Sequence, residues 1–168
     1  MRAALVRVYL DAEGVISRSN LRSAGAGGGA VLPLNDLSSS IGAGIGWGGM
    51  HALVVFGTVL AENMGPGADY SDTCPRVPVV LVSAVSALLF ETLDVLLMGA
   101  MFAAVRRGRK GRMAGVGGLH LLAALATALN ELPGGCAVSL PVLGGVVLAA
   151  GAVWRCHLPD LRQCAPAR

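Results

Sequence analysis

Ile41-Gly-Ala-Gly44-Ile-Gly-Trp-Gly48-Gly-Met-His-Ala52-Leu-Val-Val-Phe-Gly-Thr-Val-Leu-Ala61 runs without a single charged side chain and stops at Glu62-Asn63, just before the turn signal Gly65-Pro66-Gly67. A helix rises 1.5 Å per residue, so about twenty apolar residues cross a hydrocarbon core of about 30 Å. The stretch therefore reads as a transmembrane helix. Within it Gly44, Gly48 and Ala52 recur at intervals of four. That spacing lines small residues in one stripe, which lets a second helix approach to backbone contact in lipid. Gly42, Gly46 and Gly49 are expected to widen the same groove.

Moving outward, the pattern repeats. A second span begins near Val77, carries Glu91 and Asp94, and ends where Arg106, Arg107, Arg109, Lys110 and Arg112 crowd together. A third runs from about Met113 to Leu129 and a fourth from about Ala137 to Trp154, joined by the short link Asn130 to Gly135 with Pro133 inside it. Short links imply antiparallel neighbours. The expected fold is an all-α, polytopic transmembrane bundle of four spans over residues 41–155. Residues 1–40 read as a cytosolic connector, with a Gly-rich segment from Ser17 to Ala30, and 156–168 as a cytosolic tail. Over the 168 residues, 54% hydrophobic content, 14% charged content and a mean hydropathy of +0.66 argue against a water-soluble globule.

The formal charge of +3 does not point to nucleic acid, because the basic residues flank apolar runs and no aromatic residues are interleaved for stacking on bases. It points to topology. Basic residues near span ends stay in the cytosol. The cluster Arg106 to Arg112 thus orients the spans around it, and Arg18, Arg22, Arg155, Arg162 and Arg168 fall on the same side. The carboxyl terminus is then cytosolic, while the loop Glu62 to Cys74 and the link near Cys136 lie opposite. Cys74 and Cys136 share that oxidising side and could form a disulfide; Cys156 and Cys164 lie at the cytosolic surface as candidates for palmitoylation. No CxxC spacing suggests zinc, and Arg7 and Asp11 interrupt Ala3 to Leu10 before a signal peptide could form.

Ionisable groups inside spans demand a partner or a task. Counting from the basic boundary, Asp94 sits roughly 18 Å deep, Glu91 roughly 22 Å and His120 roughly 12 Å. Glu91, Asp94 and His120 are the candidate intramembrane polar network, with Asp94 the nearer partner of His120. The pair reads either as a proton or ion relay or as a buried contact that fixes helix packing. His51 has no acidic residue within sequence reach and reads as a packed polar group. No catalytic residue is assigned: GxSxG, HExxH, a P-loop and the Gly-x-Gly-Asp setting are all missing from the sequence. No cofactor or metal is expected.

Three blocks together resemble the anterior-pharynx-defective (Aph) family of γ-secretase subunits. They are the Gly44/Gly48/Ala52 stripe, with alanine in the third place; Val59-Leu60-Ala61-Glu62-Asn63-Met64-Gly65-Pro66-Gly67; and Gly118-Leu119-His120-Leu121-Leu122 continuing to Leu129-Asn130. The likeness covers about Leu37 to Cys164 and matches the last four of seven spans, with Val6 to Leu10 as the tail of the one before. The family's second intramembrane histidine falls, by ungapped counting, on Asp94. The missing front half is expected to reflect a truncated gene model or a shortened member.

The resemblance implies a non-catalytic scaffold that stabilises a presenilin-like catalytic subunit, a nicastrin-like subunit and a presenilin-enhancer-like subunit. It implies residence in the endoplasmic reticulum, Golgi and plasma membrane, and support for cleavage of Notch-like and amyloid-precursor-like substrates. The rival expectation is a small transporter or channel whose path Glu91, Asp94 and His120 would line.

Overall fold

The computed structural model describes residues 1–24, 35–63, 65, 67 and 69–162. Gly27 to Gly29, Pro66 and Cys164 lie outside them. Five helices follow one another: α1 (Arg2–Ala24), α2 (Asp36–Glu62), α3 (Val79–Arg106), α4 (Lys110–Ala128) and α5 (Cys136–Arg162), with a 3-10 turn, Leu129–Glu131, before the last. The chain is an all-α bundle and an integral membrane protein. Among the described residues three helices are long and apolar enough to cross a membrane: α2, α3 and the Cys136–Leu158 part of α5. The third expected span, Met113 to Leu129, corresponds to α4, which falls outside that group. Its 19 residues include Lys110, Arg112, His120 and a run of glycines, which dilute its apolar character.

Helix α2 starts five residues before the apolar run because Asn35 caps it, its side-chain oxygen accepting from the backbone N–H of Leu37 and Ser38. Asp36 in the first turn suits the positive end of the helix dipole. Helix α3 is the hub and contacts each of the other four. Its end is a Schellman motif: Gly108 takes φ +61°, its N–H donates to the Val105 carbonyl and the Arg109 N–H to that of Ala104, both at 3.0 Å. The turn into α4 is therefore tight, and α4 lies antiparallel to α3.

The core follows α3. Leu93, Leu97, Met98 and every residue from Gly99 to Ala104 are buried, joined by Val116 and Ala123 of α4 and Leu143, Val146 and Ala150 of α5. Where the sequence offers only a weak apolar stretch near the amino terminus, the structure has α1 packed on α3, with Val6 fully buried and the Tyr9 ring 5.1 Å from that of Phe102.

Candidate functional site

The α2–α3 seam positions everything else. A side chain at Gly44 would place its Cβ 2.6 Å from the Val95 Cα, and one at Gly48 would come within 3.1 Å of the Glu91 Cα and 3.2 Å of the Asp94 Cβ. Only glycine fits such an approach. Gly42, Gly46 and Gly49 do not share this groove; each faces open space. Ala52, one turn beyond Gly48, lies on a crevice of about 340 Å³ shared with Ser83, Ser86 and Ala87 of α3 and with His120, Thr127 and Asn130.

Asp94, fully buried, is brought by that seam to the middle of the bundle, where four helices each contribute one polar group. Arg2 of α1 pairs with the Asp94 carboxylate. His51 of α2 places Nδ1 at 3.3 Å from Asp94 Oδ2, a distance at which an Nδ1–H donates to the carboxylate. His120 of α4 has Nδ1 at 3.7 Å from Asp94 Oδ1, beyond hydrogen-bond range, and at 3.2 Å from Arg2 Nη2, from which it can accept. The two imidazoles, 6.3 Å apart by ring centroids, share the Phe90 ring as a neighbour.

The sequence thus brings Asp94 and His120 into one cluster, and the arginine stands between them. Glu91 is not part of it: its Cα and Cγ pack over Gly48, and among the described residues its carboxylate has no hydrogen-bond or ion-pair partner. Two members escaped sequence reasoning. Arg2 carried no spacing signal at all. His51 carried one that required the seam: it follows Gly48 by three residues, and Gly48 packs on Asp94 itself. Among the described residues no set of three His, Cys, Asp and Glu groups is arranged to hold a metal ion.

A second arginine–carboxylate cluster lies where α3 ends. Arg106 reaches Glu13 of α1 at 2.7 Å and pairs with Asp36 of α2. Arg107, Arg109 and Lys110 are exposed, and Arg112 places Nη1 at 3.0 Å from His157 Nδ1 of α5. At the opposite end Cys74 and Cys136 are joined in a disulfide, their Cα atoms 5.8 Å apart. Beside it Thr73 donates to the Asn130 carbonyl and Ser139 to the Asn130 side-chain oxygen, both at 2.7 Å. Cys156 is exposed.

Comparison with known proteins adds identity to this geometry. The family model described as Aph-1 protein matches residues 4–158, reaching α1 as well as the four later helices. The curated Arabidopsis thaliana protein named gamma-secretase subunit APH1-like is 32% identical over 107 residues, which are 64% of this chain and 43% of that protein. The match thus spans less than half the length of that relative. No solved structure matches.

Proposed function

This chain belongs to the Aph-1 family, and from that premise we propose that it is a non-catalytic scaffold subunit of a γ-secretase-like intramembrane protease complex. Its partners are a presenilin-like catalytic subunit, a nicastrin-like subunit and a presenilin-enhancer-like subunit. Through them it supports cleavage of Notch-like and amyloid-precursor-like substrates in the endomembrane system and plasma membrane. The turn Arg106 to Arg112 and the carboxyl terminus face the cytosol, and α4 crosses the membrane with the three longer helices.

One observation carries the non-catalytic part. Aspartyl chemistry needs two carboxylates close enough to share a proton. Here the fully buried carboxylate, Asp94, is engaged by an arginine and a histidine instead. Such an arrangement fastens helices. In lipid, where every polar group must find its partner inside the protein, it suits a subunit whose work is to hold a shape.

The crevice that reaches His51 and His120 from Asn130 favours the transporter reading. The guanidinium of Arg2 beside Asp94 counts against it, since a fixed positive charge repels protons and cations in a low-dielectric path. Co-expression of the full chain with presenilin and nicastrin, followed by purification in mild detergent, tests the proposal. The chain is expected to co-elute with presenilin, and His120→Ala and Gly48→Leu to reduce that recovery. A folded chain that elutes alone, and that conducts ions in liposomes, would overturn the scaffold role.

A further inference from the structure

The turn between α3 and α4 concentrates positive charge. Five basic residues stand between positions 106 and 112, and no acidic residue occurs between Asp94 and Glu131. Arg106 is committed to Glu13 and Asp36, so the carboxylates that α1 and α2 bring to this end are already engaged. Arg109 and Lys110 are exposed and among the described residues have no hydrogen-bond or ion-pair partner. Helix α4 has no acidic residue in its first turn and no side-chain cap at its start.

A topology signal needs only that these charges remain on one side of the membrane; it does not need them held in place. Here they are held. The Schellman turn at Gly108 fixes the backbone from Ala104 to Arg109, and the Arg112 head rests against His157 of α5. The turn directly follows the buried run that ends at Ala104, and α4 leaves it immediately, so it is pinned at the end of α3. In the topology proposed above, that end of α3 lies at the level of the lipid phosphates. Clustered basic residues beside a span attract acidic headgroups, each charge adding about fivefold in affinity, and a preorganised cluster loses little entropy on binding.

We propose that this turn binds the headgroup of a polyphosphorylated acidic phospholipid, with Arg109 and Lys110 as the principal contacts and Arg107 and Arg112 flanking them. The contacts it names all lie within this chain, so the purified full chain in detergent suffices to test it. Titration with dioctanoyl phosphatidylinositol bisphosphate, followed by microscale thermophoresis, should show saturable binding that dioctanoyl phosphatidylcholine lacks. Arg109→Gln and Lys110→Gln should each weaken it about fivefold. The charge-conserving pair Arg109→Lys with Lys110→Arg should retain it, and Arg76→Gln, an exposed residue in the loop at the other end of the bundle, should leave it unchanged. Equal binding of phosphatidylcholine, or unchanged affinity in both Gln variants with unaltered thermal unfolding, would overturn the proposal. Equally tight binding of soluble inositol trisphosphate would also overturn it, by assigning the site to a free phosphate rather than a lipid.

Discussion

The two halves of α3 live in different surroundings. From Leu93 to Ala104 nearly every residue is buried, whereas between Val79 and Thr92 only Ala87 is. The dividing line is Asp94. On the Arg106 side α1 runs beside α3 from Arg2, level with Asp94, to Glu13, level with Arg106. On the Cys74 side the same helix is flanked by a crevice, and the ends of the helices are tied by a disulfide and the hydrogen bonds around Asn130. One half is held by packing and the other by fastenings at its rim. With lipid as solvent, apolar contact alone separates a bundle from its surroundings weakly, so both devices are needed.

The contrast can be broken most severely at its boundary. Asp94→Ala leaves Arg2 buried without a counter-charge and is expected to destabilise the bundle by about 3–5 kcal/mol, read by thermal or chemical unfolding in detergent. Next comes the rim. Cys74→Ser with Cys136→Ser releases a link between residues 62 apart in sequence and should cost about 2–4 kcal/mol, with hydrogen exchange rising first around Asn130 and not around Phe102. In the closed half, Gly44→Ala sets a methyl group against the Val95 backbone and should cost about 1–3 kcal/mol. The smallest effect belongs to the open half: Ala52→Leu, though on the same stripe two four-residue steps beyond Gly44, has the crevice to grow into and should change stability by less than about 0.5 kcal/mol. Equal losses at Gly44 and Ala52 would erase the distinction between the halves.

Much of this was legible in the residue pattern because hydrophobic length and small-residue spacing are local properties. The all-helical class, the run around Ile41 to Ala61, the tight link at Pro133 and the stripe at Gly44 and Gly48 need no knowledge of what lies opposite. Arg2 is the counterexample. It lies 92 residues from Asp94 in sequence, in a stretch whose mixed polarity suggests a connector, and only the completed bundle makes it a partner. The same holds for Arg106, which the sequence presents as one of five equivalent charges and the fold singles out by bringing Glu13 and Asp36 to it. His51 occupies the middle ground, reachable once the seam is known. Glu91 shows the reverse error: depth in a span suggests membership in a polar network, whereas its aliphatic part is what the seam uses.

A double-mutant cycle on the unfolding of the full chain in detergent, with Arg2→Met, Asp94→Leu and the two combined, tests most directly whether the buried charge pair organises the four helices. Each single change strands a charge and is expected to lower the unfolding temperature sharply, while the combined change, which removes both charges, should recover most of the loss. Losses that simply add would mean that Arg2 and Asp94 do not act on each other, and would contradict the account.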